Sequence, residues 1–383
     1  MTERRIALIV ATLGAFVTPF MASSFNIAIP SIGKEFSAGA VVLGWLATIY
    51  LLASAVFLIP FGKLADIYGR KKVFLAGLFL YAVSSLLCGL ASSPQSLMAF
   101  RVLQGTGAAA IFGTGVAILT SVFPPQERGR ALGINVSSTY LGLSMGPILG
   151  GLMTQYLGWR SIFFLNSIIG LTAFAVAFTK LKGEWKGVPG ERFDLPGSIL
   201  YAVALSGFIY GFSSLPREAG WLFTSLGLMV LLFFIWWEER GQSPLLNMGL
   251  FRKNPAFTFS NLAALINYSA THAVGFLLSL YLQYAKGFLP GKAGMILVAQ
   301  PLIMAALSPL AGRISDRIEP RILASGGMAV IVVGLLLLSS LGQSSPLEFL
   351  FAVLALLGVG FAFFSSPNTN AVMSSVEKKF YGV

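Results

Sequence analysis

The stretch Gly62-Lys63-Leu64-Ala65-Asp66-Ile67-Tyr68-Gly69-Arg70-Lys71-Lys72 is a short polar turn between two apolar runs, near residues 40–60 and 73–92. Each run has about the 20 residues that a helix needs to cross a hydrocarbon layer. Glycine at such a turn lets two helix ends approach and permits positive φ. Asp66 can cap a helix N-terminus or pair with the neighbouring cations. The turn therefore reads as a basic loop at a membrane surface, joining two spanning helices.

The same pattern repeats along the chain. Further apolar segments lie near 6–30, 97–122, 131–157, 161–180, 194–214, 221–237, 257–285, 292–312, 321–341 and 347–373, which makes twelve expected spans. Of the 383 residues 56% are hydrophobic and only 10% charged, with mean hydropathy +0.81. A soluble domain carries roughly 25% charged residues, so lipid must be the solvent for most of this surface. The 42 glycines and 18 prolines suit helices that pack closely or break inside a membrane. Strict alternation is absent over long stretches, which argues against a membrane β-barrel. The first apolar run, from Ile6 to Ile29, exceeds the length of a signal-peptide core and lacks a small-residue cleavage site, so it reads as the first span.

The formal charge of +12 would suggest nucleic acid in a soluble protein, but the cations sit in loops. With the N-terminus placed inside, the outer loops hold only Lys34, Arg160, Arg217, Lys286 and Lys292, and Arg101 lies within a span. The remaining Lys and Arg outnumber the outer ones four to one, which puts both ends in the cytoplasm of a multi-pass plasma-membrane protein. Nucleic acid is not an expected partner. A polar segment, Lys180–Asp194, marks one joint and Glu238–Pro255 a second. The expected organisation is a six-helix bundle over residues 1–182, a linker with two extra helices over 183–255, and the first four helices of a second bundle over 256–383. One cysteine, Cys88, excludes an internal disulfide, and one histidine, His272, leaves no metal-ligand cluster.

Three further motifs lie within spans. The fourth reads Arg101-Val102-Leu103-Gln104-Gly105-Thr106-Gly107; its Gly-x-Gly has no preceding strand, so a dinucleotide fingerprint is rejected. Arg101 either snorkels to the outer interface or turns inward to a functional role, and intramembrane charges favour function. The fifth span carries Gly133, Gly142, Gly146-Pro147 and Gly150-Gly151. Gly142, Gly146 and Gly150 form overlapping G-x-x-x-G pairs on one face. Gly133 lies about half a turn away in angle and serves a different neighbour, and Pro147 is expected to kink the helix.

The Gly62–Lys72 turn, the Arg101 motif and the fifth-span glycines resemble the motifs of the major facilitator superfamily, and the last is similar to its antiporter motif at every spacing. Trp159-Arg160 with Phe163, Phe164 and Asn166, and Asp194-x-x-Gly197, extend the resemblance to the fourteen-helix drug:proton antiporter branch. It covers essentially the whole chain. The resemblance implies an all-α membrane fold of two pseudo-symmetric bundles joined by an extra helix pair. It also implies a gating loop of Gly62, Asp66, Gly69, Arg70, Arg130 and Asp316, and export rather than uptake.

An internal repeat fits this reading. Gly312-Arg313-Ile314-Ser315-Asp316-Arg317-Ile318 is a weaker copy of Gly62–Tyr68, displaced by 250 residues. Gly358-Val359-Gly360 echoes Gly105-Thr106-Gly107 253 residues later. The last four spans then match the first four, the seventh and eighth have no counterpart, and two further helices of the second bundle are expected but absent.

Proton coupling normally needs a titratable group at membrane depth, yet all fourteen acids fall in loops or at helix ends. The related branch carries an Asp where this chain has Met21, in Met21-Ala22-Ser23-Ser24-Phe25-Asn26. His272 is the other membrane-depth group that titrates near neutrality. Candidates for a central substrate cavity are Asn26, Gln104, Tyr140, Asn267, His272, Gln300 and Asn368, with interhelical hydrogen bonding as the competing role for each. Asn261, Tyr268 and Thr271 are further polar candidates. A cavity poor in charge and rich in aromatic and amide groups suits hydrophobic or weakly cationic ligands. No nucleophile–base constellation, phosphate loop or metal spacing appears, so neither an enzyme nor an ATP-driven pump is expected, nor any cofactor. The expected function is multidrug-type efflux of small compounds by a monomer in the bilayer, in exchange for protons. The alternatives are a metabolite or lipid carrier without proton coupling, and a non-transporting truncated paralogue or subunit.

Overall fold

A computed structural model describes residues 3–187, 190–241, 243–288, 290–342 and 344–381. Every expected span is helical in it. The helices are α1 (Glu3–Phe36), α2 (Ala40–Tyr68), α3 (Arg70–Gly89), α4 (Pro94–Val122), α5 (Pro125–Leu157), α6 (Arg160–Lys180), α7 (Leu195–Ser213), α8 (Glu218–Arg240), α9 (Met248–Lys253), α10 (Pro255–Leu280), α11 (Pro290–Leu297), α12 (Ala299–Ser315), α13 (Pro320–Ser339) and α14 (Leu347–Ser375). The tenth expected span is thus two pieces, α11 and α12, broken at Val298. The ninth ends in a π-helical turn, Tyr281–Ala285. No strand occurs among the described residues.

Among the described residues ten helices are long and apolar enough to cross a membrane. The 33-residue α5 is not one of them, because hydroxyl, amide and glycine residues dilute its apolar run. Pro147 does not end α5, which runs unbroken from Pro125 to Leu157.

Helix ends are fixed by local chemistry. Ser93 and Ser96 form a reciprocal capping box at the start of α4, with Pro94 in the first turn. Asp194 caps α7 through the Gly197 amide at 2.8 Å, and Asn254 caps α10 through Phe257 at 3.1 Å. A single residue, Gly69, separates α2 from α3, and its φ of 121° is one that a side chain would resist.

Two apolar cores result. One joins α1, α3, α4 and α6 through Phe25, Phe74, Leu78, Tyr81, Ile111 and Phe163. The other joins α10 to α14 through Leu278, Ile296, Leu354, Leu357 and Phe361, and it admits Tyr140 of α5. The α7–α8 hairpin stands beside α2, where Tyr201 donates to the Ala55 carbonyl at 3.3 Å. Its outward side chains, among them Trp221, Met229 and Leu232, are 60–69% exposed, as lipid-facing residues are.

Candidate functional site

The site is built on α5, which touches both groups of helices. Towards the far end its glycines meet α1. A methyl group added at Gly142 would strike the Phe16 carbonyl, one at Gly146 the Ser23 hydroxyl, and one at Gly150 the Cβ of Ser24 at 2.7 Å. Ser24 donates to the Gly146 carbonyl at 3.1 Å, sealing the seam. Gly151 has only ordinary contact, with Ile27 at 3.7 Å. Gly133 faces elsewhere: its added methyl would lie 2.5 Å from the Ser308 carbonyl oxygen of α12. Gly129 and Gly312 are pressed backbone to backbone in the same α5–α12 seam, and Ser137 donates to the Ala305 carbonyl.

One face of the molecule carries the α2–α3, α4–α5 and α12–α13 turns and is called the basic face below. Here the seam is locked by charge. The Asp316 carboxylate, just past α12, accepts the amides of Gly129 at 2.6 Å and Arg130 at 2.9 Å. Arg130 thus enters through its backbone, while its side chain is exposed. Burial pushes the Asp316 carboxyl above its ordinary range, against the lowering effect of those two amides and Arg128.

The Gly62–Lys72 turn forms a second lock. Arg70 and Asp66 are a fully buried pair, Nη2 to Oδ1 at 2.6 Å and Nε to Oδ1 at 3.0 Å. Arg70 also donates to Ser121 and, at 2.6 Å, to the Lys378 carbonyl beyond α14. Tyr381 stacks against both Arg70, at 5.4 Å, and Arg128, at 5.5 Å. Residues 183–187 and 190–191 lie against this turn: Arg70 N–H donates to the Trp185 carbonyl, Lys71 N–H to Glu184, and Lys63 pairs with Glu191 at 2.6 Å. Gly62 is buried at the end of α2. None of Glu184, Glu191, Ser121, Lys378 or Tyr381 carried a sequence signal, because each acts across more than 50 residues.

Behind these locks lies a cavity of about 800 Å³. Its wall comes from α4 (Phe112, Val116), α5 (Leu132, Asn135, Val136, Thr139, Tyr140, Leu143), α10 (Tyr268, Thr271, Gly275) and α14 (Ser365, Thr369). The Tyr268 and Ser365 hydroxyls are 3.0 Å apart, and the Tyr140 hydroxyl joins them, so α5, α10 and α14 meet in one hydroxyl cluster. No charged residue is among the described residues of this wall. Donors and acceptors of hydrogen bonds are thus set among aromatic and aliphatic surface, a lining chemically suited to uncharged or weakly cationic aromatic molecules.

Of the expected cavity residues, Tyr140 lines it and most others do not. Gln104 is fully buried inside the first core, where it accepts from Arg101 and donates to Ser85 at 2.7 Å. Asn267 turns towards Met328 of α13, and Asn368 donates to the Ser260 carbonyl at 3.1 Å. Gln300 is buried on α12, and Asn26 is exposed on α1; neither is in the wall. The Asn267–Thr271 face is therefore split: Tyr268 and Thr271 face the cavity and Asn267 the packing between helices. Gln104 and Asn368 find their partners in helix packing, whereas the Asn267 carbonyl oxygen and the Gln300 amide nitrogen are buried with no partner among the described residues. The His272 side chain lies outside the described residues. Met21 is fully buried in the first core.

Arg101 does not reach an interface. It is 1% exposed, its guanidinium 4.1 Å from the Phe25 ring and 4.3 Å from the Tyr50 ring. It donates to the Gln104 side chain at 2.8 Å and the Leu46 carbonyl at 3.3 Å, so aromatic faces and neutral acceptors surround it. The acids hold one surprise. Glu238, at the end of α8, is 2% exposed with one carboxylate oxygen unpartnered, while the other accepts the Leu246 amide at 2.7 Å.

Comparison with known proteins bears on the whole arrangement. A family model described as Major Facilitator Superfamily matches residues 11–383. The chain is 30% identical over 387 residues to the riboflavin transporter RibZ of Clostridioides difficile (strain 630), covering 100% of this chain and 84% of that one. It is 32% identical over 388 residues to the multidrug resistance protein Stp of Mycobacterium tuberculosis (strain CDC 1551 / Oshkosh), covering 99% and 71%. Its backbone matches the solved structure of the proton:xylose symporter XylE bound to 6-bromo-6-deoxy-D-glucose with a TM-score of 0.71 over 99% of this chain and 84% of that one. At 13% identity that likeness speaks for the fold alone. With ten apolar helices and a family match over nearly its whole length, the chain belongs to the major facilitator superfamily and is a multi-pass membrane transporter, not an enzyme.

Proposed function

We propose that this transporter exports small, uncharged or weakly cationic aromatic compounds by alternating access, in the state where its basic, cytoplasmic face is locked and the cavity is cut off from that side. The observation that carries the reading is the hydroxyl-bearing cavity of about 800 Å³, free of charge among its described residues and placed behind the Asp316–Gly129 and Arg70–Lys378 locks. Release of both locks would let the halves rock about the α5 seams and present the same wall to the cytoplasm. The multidrug relative supports efflux. The α7–α8 hairpin inserted between the two groups of helices supports placing the chain in the fourteen-helix drug:proton antiporter branch. The basic face supports a plasma-membrane protein with its N-terminus in the cytoplasm.

A second reading is favoured by one specific absence. No Asp, Glu or Lys is among the described residues of the cavity wall, and Met21 occupies the position where the related branch has its acid. Carriage of a neutral metabolite without proton coupling fits that wall equally, and the riboflavin-transporting relative lies in this direction. Dye efflux from proteoliposomes under an imposed pH gradient separates the readings. Gradient-driven flux is expected for the antiporter. Flux indifferent to the gradient sinks proton coupling and leaves the uncoupled carrier, and loss of all flux sinks both.

A further inference from the structure

At the basic face a cleft of about 350 Å³ opens between the start of α1 and the start of α5. Its mouth is cationic, with Arg4, Arg5 and Arg130, and its floor is apolar, with Leu8, Phe123 and Ile134. The gradient follows from helix geometry. Leu8 lies one turn deeper than Arg4 on α1, and Ile134 one turn deeper than Arg130 on α5, so both walls pass from charge to hydrocarbon in the same direction. One acid is present, Glu127, and it is taken up by Arg4 at 3.2 Å. Arg5 and Arg130 form no ion pair among the described residues.

We propose that this cleft binds one anionic phospholipid, with its phosphodiester between Arg5 and Arg130 and the first part of an acyl chain on Leu8, Phe123 and Ile134. The ligand class follows from the two ends of the cleft taken together. Arginine offers paired donors in a plane that matches phosphate oxygens. A free phosphate would leave the apolar floor without a partner. A zwitterionic headgroup would bring an ammonium to a mouth whose only carboxylate is already paired. The cleft is walled by helices that continue into the membrane, where the molecules supplied in quantity are lipids, and basic sites of this kind at the inner surface attract anionic headgroups. The amide of Arg130 is one of the two that Asp316 caps, so the lipid would sit directly on the lock between α5 and α12.

The test uses the full-length protein in detergent, with lipid binding followed by native mass spectrometry for phosphatidylglycerol and phosphatidylcholine. Phosphatidylglycerol is expected to bind at least about tenfold more tightly. Arg5→Gln with Arg130→Gln should remove that preference, while Arg5→Lys with Arg130→Lys keeps most of it, and inorganic phosphate should not displace the lipid. Equal binding of the two lipids, or an unchanged preference in the double Gln variant, overturns the proposal. Displacement by phosphate overturns it too, in favour of a free-anion site. If the double Gln variant loses its folded melting transition, Ile134→Asp replaces it. That change places a negative charge on the floor without touching an arginine and must weaken phosphatidylglycerol at least about tenfold; retained affinity overturns the proposal.

Discussion

The carboxylate of Asp316 reaches the second turn of α5 from 187 residues away, accepting the Gly129 amide at 2.6 Å. A helix usually draws such a side-chain acceptor from a residue beside it in sequence. Here it comes from the end of α12 and adds to amides already inside the α5 ladder, so these two bonds exist only while α5 and α12 are in contact at the basic face.

The pH dependence of this lock has a definite sign. Burial raises the Asp316 carboxyl above its ordinary 3.8, assisted by Glu127 and opposed by the two amides and Arg128. Once unlocked, the carboxyl meets water and returns to its ordinary value. The locked state thus binds more protons between 3.8 and the raised value. Its stability is expected to rise as pH falls through that window and to decline as pH rises through the raised value. Asp316→Asn, permanently neutral and still an acceptor, should flatten this dependence. Asp316→Ala, which removes the acceptors, should cost the locked state about 1.5 kcal/mol, roughly tenfold in population. Energy transfer between dyes on the α4–α5 and α12–α13 turns reads the locked fraction. A wild-type fraction that falls on acidification would refute the assignment.

The glycines of α5 should respond unequally to alanine. At Gly133 the new methyl meets the Ser308 backbone at 2.5 Å, and at Gly129 it meets the Gly312 carbonyl, so the α5–α12 seam must part. Overpacking of this kind costs about 1–3 kcal/mol, and these variants should lose the locked state. Gly146→Ala and Gly150→Ala strike α1 instead and should lower the melting temperature without selectively unlocking the basic face. Gly151→Ala meets only Ile27 at 3.7 Å. It should be neutral, or stabilising by up to about 1 kcal/mol, because alanine is the better helix former. Equal melting temperatures across the series would contradict the two-seam arrangement.

These seams show where the sequence was legible. G-x-x-x-G spacing is a property of one helix, so the division of α5 into a Gly142–Gly150 face and a separate Gly133 face could be read from angle alone. So could the spans, because each needs only its own run of apolar residues. The partners were another matter. Nothing local indicates that Gly133 meets Ser308, that Arg70 reaches Lys378, or that Glu184, Trp185 and Glu191 lie against the α2–α3 turn. The cavity wall was hidden for a related reason. Polarity alone points to amides, but Gln104 and Asn368 bond within helix packing and Asn267 turns to Met328. Apart from Asn135 the wall takes its polarity from hydroxyls, several of which bond to their own helix carbonyls and still face inward. Thr271 does so, donating to the Asn267 carbonyl at 2.8 Å. Glu238 likewise read as a loop-side acid, and only the packing of the α7–α8 hairpin buries it.

Arg101 is held by planar stacking as well as by hydrogen bonds, and lysine cannot reproduce that. Arg101→Lys should lose the Phe25 and Tyr50 contacts and leave Gln104 short of a donor, a cost of about 2 kcal/mol or more. Arg101→Ala adds a cavity in the first core and should cost still more. The expected readout is a lowered melting temperature of the whole transporter in detergent, together with loss of flux. A lysine variant that melts like the wild type would show that the charge alone matters there.

The hydroxyl cluster gives the sharpest test of the cavity as the binding site. Tyr140 belongs to α5 and Tyr268 and Ser365 to α10 and α14, so a ligand that bonds to this cluster touches both groups of helices at once. Tyr268 is half-exposed to the cavity, and removing its hydroxyl leaves the buried Ser365 and Tyr140 hydroxyls paired with each other. Tyr268→Phe should therefore keep the melting temperature and the aromatic wall. A neutral hydrogen bond is worth about 1 kcal/mol, so apparent affinity for a hydrogen-bonding substrate should fall roughly fivefold, with little change for a purely hydrocarbon dye. Tyr268→Ala removes the ring as well and should weaken both classes. Thr139→Val, which keeps shape and loses polarity on the facing α5 wall, should repeat the selective pattern of Tyr268→Phe. Fluorescence titration of purified protein with matched polar and apolar dyes measures this directly. If Tyr268→Phe weakens both dyes alike, the hydroxyl is structural and the ligand binds elsewhere.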